Sequence, residues 1–358
     1  MDTFSIKYTI FFFGTLIFSL LINFIFLRFV RTLGIRNLNE NAVRWSESDR
    51  PSIGGLGFYI IFLLSLSTYS IAFGGGDSVF NQREVGILFA CTLAFIMGLA
   101  DDAYNTKPVL KSSTQITCGL ILVFSGTSID VFDNQVLNNF LTILWVMGIM
   151  NSINMLDNMD GITGTVSLII CVTMLICMYA ADEVNSFFLI LITGLTSALL
   201  GFLYFNWWPS KMFMGDSGSQ FLGSFLASMG IIFFWNLEPL SNTSPGVSMK
   251  FIVPLLAFLI PIADTTTVVI NRLSKGRSPF VGGKDHTTHS LARTGLRDVQ
   301  VALLIAAVSL ISGGLISFYY YNPRILATWE RVILIVYLVL IFAGLFTITH
   351  LKKRGDQH

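Results

Sequence analysis

The sequence predicts an all-α polytopic membrane protein of about 11 transmembrane helices, with its N-terminus outside and its C-terminus cytoplasmic. Three observations predict it. Of 358 residues, 53% are hydrophobic and only 12% are charged, against about 25% charged in soluble domains, and the mean hydropathy is +0.71. Apolar runs of about the 20 residues needed to cross a bilayer recur along the whole chain. Lysine and arginine are shared unevenly between the loops, which is the signal that sets orientation.

In order, the apolar runs fall at 8–30, 53–73, 84–100, 112–126, 136–153, 161–181, 186–205, 219–235, 250–271, 298–320 and 329–350. The first is too long for a signal-peptide core, and no small-residue cleavage site follows it. The fourth is short and carries Ser and Thr. The ninth holds Asp264, a charge inside a span, and Pro261 just before it is expected to kink the helix and open room there. No linker or low-complexity stretch divides the chain. One integral membrane domain over 1–358 is therefore expected, closing in a short cytoplasmic tail at 351–358. Cys91, Cys118, Cys171 and Cys177 all lie in apolar runs without a CxxC spacing, so they read as buried free thiols rather than a disulfide or zinc set.

Of the 22 Lys and Arg, 17 lie in loops after odd-numbered spans or in the tail; the other side holds Lys7, Arg83, Lys250, Arg324 and Arg331. The positive-inside rule places the odd loops in the cytoplasm. The concentrated polar chemistry falls on the same side: DDAYNTKPVLK at 101–111, NSINMLDNMDG at 151–161, NWWPSKMFMGDSGS at 206–219 and SPFVGGKDHTTHSLARTG at 278–295. Four acid- or His-bearing loops facing the cytosol suit a nucleotide-activated substrate. The net charge of +1 is uninformative, and no feature points to nucleic acid.

The loop 151–164 sets Asn151, Asn154, Asp157, Asn158 and Asp160 within ten residues and without a cation. Carboxylates this close raise one another's pKa unless a cation sits among them, and clustered oxygens suit Mg²⁺. Turn and capping chemistry uses the same residue types. Asp101 and Asp102 follow an apolar helix, at the end where the dipole disfavours acids. Neighbouring side chains on a helix diverge by about 100°, so the two are expected to differ in task, one toward a metal and one toward a proton or an orienting contact. KMFMGDSGS at 211–219 reads as loop into helix. Gly215 and Gly218 would admit an anion to the backbone amides there, with Asp216 as metal ligand; a plain capped turn is the alternative. Asp264 precedes Arg272 by eight residues, about 12 Å of helix. An intramembrane acid is functional by default, or else structurally paired with a neighbouring helix. His286 and His289, three apart, share a face if helical. No Cys is in reach to complete a zinc site, and with Lys284 and Arg293 the two His suit a diphosphate. The glycines of RPSIGGLGF at 50–58 are explained by close helix packing.

Taken together, DD at 101–102, NxxNxxDxxDG at 151–161, MGDSGS at 214–219, PIxD at 261–264 and the basic His loop resemble the polyprenyl-phosphate N-acetylhexosamine-1-phosphate transferases. Phospho-MurNAc-pentapeptide translocase is their cousin. The resemblance runs from about Arg50 to Arg297. It implies transfer of a sugar-1-phosphate, first of all GlcNAc-1-phosphate, from a UDP-N-acetylhexosamine to undecaprenyl phosphate. UMP would be released and a cell-envelope glycan begun. The enzyme would use Mg²⁺, with Mn²⁺ as a substitute, in the bacterial inner (cytoplasmic) membrane with the site facing the cytoplasm. On the family pattern Asp101, Asp102, Asp157 and Asp160 are the catalytic acids, and Asp216 with Asp101 the metal ligands. Asn154, Lys111, Asp264, Lys284, His286, His289 and Arg293 are expected to bind substrate. A homodimer is compatible with this reading.

The chain also departs from the family pattern. Asn105 stands where the paired-acid motif usually continues to Asp or Lys. HxHH becomes HTTH, with Thr288 in the middle, and Ser290 replaces a frequent Arg. The missing triple-His run argues against the peptidoglycan cousin. A secondary transporter would place coupling acids near the midplane and show repeat symmetry, whereas these acids gather at one interface and no repeat is visible.

Overall fold

The computed structural model describes residues 3–29, 50–72, 80–240, 246–279, 283, 285–322 and 326–350. Lys284 and the tail at 351–358 lie outside the described residues. Within them the regular structure is helical: α1 (Thr3–Phe29), α2 (Gly54–Ala72), α3 (Gln82–Tyr104), α4 (Pro108–Phe124), α5 (Gln135–Leu156), α6 (Ile162–Ala180), α7 (Ser186–Asn206), α8 (Gly215–Gly230), α9 (Val247–Ala257), α10 (Leu259–Ser274), α11 (Thr287–Arg293), α12 (Asp298–Tyr321) and α13 (Thr328–Ile348). Each of the eleven apolar runs is helical. Among the described residues nine helices are long and apolar enough to cross a bilayer, or there are ten spans if the bent pair α9–α10 counts as one. The fourth run is the 17-residue α4, about 26 Å of helix against a hydrocarbon core of about 30 Å.

The ninth run bends by 83° between α9 and α10. The break is at Phe258, flanked by Pro254 and Pro261. Pro261 falls in the first turn of α10, where a missing N–H costs nothing. The break thus sits nearly two turns ahead of Asp264.

The centre of the bundle is α8, in which every residue from Ser217 to Gly230 is buried. It is rich in Gly, Ser and Ala, and without a hydrophobic force between helices in lipid, small residues are what let backbones approach. A Cβ on Gly98 of α3 would lie 2.2 Å from the Asp216 carbonyl oxygen, one on Gly55 of α2 2.2 Å from the Gly218 nitrogen, and one on Gly223 2.7 Å from Met150 Cα of α5. Helices α2, α3 and α5 therefore press directly on α8. At the rim, α1 and α13 leave residues such as Ile10, Phe24, Val339 and Leu340 exposed, as helices facing lipid do.

Asn105 closes α3 in the left-handed region (φ 51°, ψ 69°), its N–H donating to the Asp101 carbonyl at 2.9 Å. Asn tolerates that conformation better than Asp or Lys, which gives the departure at this position a physical reason. The reversal brings Thr106 and Lys111 back over the end of α3.

Candidate active site

The C-terminal end of α3, the N-terminal ends of α4 and α8, the C-terminal end of α5 and the short α11 meet at one end of the bundle. The motifs at 101–102 and 216, separate in sequence, are in direct contact.

The two adjacent acids have different surroundings. Asp101 accepts from Thr106 N–H at 2.8 Å and Thr106 Oγ1 at 2.6 Å on one oxygen, and from Lys111 Nζ at 2.8 Å on the other. Both oxygens of Asp101 are therefore engaged by donors from the start of α4 and the turn before it. Asp102 accepts the N–H of Asp216 on one oxygen and of Ser217 on the other, each at 2.9 Å. These are amides in the first turn of α8, whose local cap Met214 offers no side-chain bond; Asp102 caps the helix from across the interface. Asp102 is thus engaged by backbone, and the amides of Asp216 and Ser217 in the GDSGS turn are held by a carboxylate.

Asp216 keeps its side chain 35% exposed. One of its oxygens accepts from Asn154 Nδ2 at 2.5 Å and Lys111 Nζ at 3.2 Å, and Asn154 also reaches Ser219 Oγ at 2.7 Å. Asp157 lies half-buried near them, next to the Thr163 hydroxyl, with no cation paired to it among the described residues. Burial, then the charges of Asp216, Asp102 and Asp160, push its carboxyl up to about 7. Asp160 has another role: it accepts from Ser210 N–H at 3.0 Å, Ser210 Oγ at 2.9 Å and Arg50 Nη1 at 3.1 Å. It pins the 206–214 loop, where Phe213 bridges Ser52 and Arg50 lies over the Phe213 ring. Asp160, expected among the catalytic acids, is held here by these contacts.

On the other flank Asp264 is wholly buried. It accepts from Thr287 N–H at 2.8 Å and Oγ1 at 2.6 Å, and meets His286 Nδ1 at 2.8 Å. An acid at that depth must be paired; here it caps α11, and His286 beside it is buried too. His289, one turn on and half-buried, has its ring 6.2 Å from that of His286, and Arg293 is exposed at the end of α11. Arg272 grips Asp285 with two bonds of 2.8 and 2.6 Å, and its guanidinium holds that carboxyl below the usual range. Sequence reasoning did not single out Thr106, Ser210 or Asp285, whose types and spacing carry no signal of their own.

The residues fit a hard divalent ion. Among the described residues no group of three or more His, Cys, Asp or Glu is placed to hold a metal. Mg²⁺ needs only one or two carboxylates, completing its shell with water and substrate phosphates. Asp216, partly open, and Asp157, without a compensating cation among the described residues, are such a pair, with the amide nitrogen of Asn154 on Asp216.

The profile of glycosyl transferase family 4 matches residues 85–234. The chain is 24% identical over 270 residues to a probable undecaprenyl-phosphate N-acetylglucosaminyl 1-phosphate transferase of Bacillus subtilis, covering 73% of this chain and 71% of that one. It is 30% identical over 285 residues to the undecaprenyl-phosphate alpha-N-acetylglucosaminyl 1-phosphate transferase of Haemophilus influenzae, covering 74% of each. It is 31% identical over 221 residues to a phospho-N-acetylmuramoyl-pentapeptide-transferase of Streptococcus agalactiae, covering 56% of this chain and 65% of that one. The motif order, the convergence of the motifs at one site and these similarities agree: the chain belongs to glycosyl transferase family 4, among the polyprenyl-phosphate sugar-1-phosphate transferases.

Proposed function

We propose that the protein transfers N-acetylglucosamine-1-phosphate from UDP-N-acetylglucosamine to undecaprenyl phosphate and releases UMP. The observation that carries this is the meeting of Asp216, Asp157 and Lys111 from three helices at one end of a membrane bundle, with the histidine helix alongside. An oxygen of the lipid phosphate attacks the β-phosphorus of the sugar nucleotide. The bond from that phosphorus to the bridging oxygen breaks, and UMP leaves with the electron pair.

Two anionic phosphates must approach, and their repulsion forms much of the barrier. Mg²⁺, held by Asp216 and Asp157, would neutralise charge on the diphosphate when bound. The protein supplies the rest. Lys111, oriented by Asp101, presents its ammonium beside Asp216, where charge develops. Asp101 acts as an orienting group, because the lipid phosphate has its second pKa near ~6 and needs no strong base. His289 and Arg293 stand on the flank where remaining phosphate oxygens would lie. With α4 and the bent pair each crossing, the chain would have eleven spans, and its charge bias puts the site at the cytoplasmic face of the inner membrane.

The test is UMP release by purified protein with undecaprenyl phosphate, Mg²⁺ and a panel of UDP-sugars. Release with UDP-GlcNAc but not with UDP-MurNAc-pentapeptide is expected. The reverse pattern would move the protein to the peptidoglycan branch, and no release from a folded sample would return attention to transport.

A further inference from the structure

We infer that Asn158 and Thr288, through the hydrogen bond between them, form a positioning pair that holds Asp157 in the site. The inference rests on the reading of the site given above.

Helix α5 ends at Leu156, and Asp157 follows with φ −75° and ψ 57°, the centre of an inverse γ-turn. The turn is closed by Asn158 N–H donating to the Leu156 carbonyl at 2.8 Å. One bond of that kind is a weak restraint. It has to keep Asp157 close to Asp216, Asp102 and Asp160, all of like charge, and repulsion favours any movement that takes it away.

The Asn158 side chain supplies the missing restraint. Its Nδ2 donates to the Met155 carbonyl at 2.9 Å, and its Oδ1 accepts from Thr288 Oγ1 at 2.6 Å. One end of the amide is thus tied back to α5 and the other across to α11. The anchor on α11 is firm, because Thr288 has no exposed surface and the helix is capped by buried Asp264. Position 288 is also where the motif departs from HxHH. A threonine fits this closed space and ends at Asn158; its hydroxyl is spent inside the protein rather than offered to substrate. Neither residue touches the reacting groups, so both act through Asp157.

The pair is tested in the full chain, in detergent, with Thr288→Val, Thr288→Ser, Asp157→Asn and the Thr288→Val/Asp157→Asn double variant. Valine keeps the shape and removes the hydroxyl; serine keeps the hydroxyl. Expected for Thr288→Val is a fall in kcat of roughly five- to tenfold, the scale of one unanswered buried acceptor. The Mg²⁺ concentration for half-maximal rate should rise, and KM for UDP-GlcNAc should change little. Thr288→Ser should restore both values, and Thr288→Val should add nothing to Asp157→Asn. Multiplying losses in the double variant, or a serine variant as poor as the valine one, would overturn the inference. So would a valine variant equal to wild type. Should wild type release no UMP, the reading of function fails separately. The pair is then tested by the thermal shift that Mg²⁺ or Mn²⁺ gives each protein, expected to weaken with valine and persist with serine; equal shifts would overturn it. If Thr288→Val does not fold, Asn158→Ala removes the same bond from the other side and is held to the same outcomes.

Discussion

The ammonium of Lys111, on α4, stands 3.2 Å from the carboxylate of Asp216, on α8. The same nitrogen is 2.8 Å from Asp101, so one cation serves two acids in a partly buried place. Breaking such an arrangement leaves uncompensated charge rather than merely a lost contact.

Lys111→Met should therefore lower kcat on the order of 10²-fold, the usual scale for losing one preorganised charge at a reacting centre. Lys111→Arg should recover part of it. Turnover at saturating UDP-GlcNAc and Mg²⁺ checks this, and a methionine variant within threefold of wild type would remove Lys111 from the chemistry.

Asp102→Asn replaces an acceptor facing two backbone amides by a group with only one acceptor atom. Loss of a helix cap costs about 1–2 kcal/mol, so the metal-free, substrate-free protein should unfold several degrees lower in a thermal melt. A variant that melts like wild type yet is inactive would point instead to direct participation of Asp102.

Gly98→Ala should be far more damaging than its size suggests. The new methyl would lie 2.2 Å from the Asp216 backbone oxygen, and backbone cannot step aside as a flexible side chain can. Yield of folded protein and turnover should both collapse. Gly148→Ala on α5, with nothing within 4 Å, is the matched control and should be neutral.

Chelation of divalent ions should abolish UMP release, with Mg²⁺ or Mn²⁺ restoring it. Asp216→Asn should raise the Mg²⁺ concentration needed for half-maximal rate by at least tenfold, as expected when an ion loses one of only two carboxylates. An unchanged Mg²⁺ curve would remove Asp216 as a ligand.

The amino-acid sequence by itself determined the helices, the gathering of polar loops and the family. Apolar runs of spanning length and the order DD, NxxNxxDxxDG, MGDSGS are properties of the chain, and hydrophobic burial needs no knowledge of neighbours. Even Asn105 was legible as a departure, although its left-handed turn was not. The tertiary structure decided which donors each acid meets. Asp102, Asp160 and Asp264 look equivalent to Asp157 and Asp216 in sequence. In the fold, Asp102 meets amides 114 and 115 residues away and Asp160 a serine 50 residues away, while Asp264 meets a threonine 23 residues on. Those three accept from backbone and side-chain donors. Asp216 stays partly open beside Lys111 and Asn154, and Asp157 stays close to it without a paired cation among the described residues. Whether a carboxylate is free to meet substrate depends on whether distant donors already satisfy it, and only packing brings those donors within 3 Å.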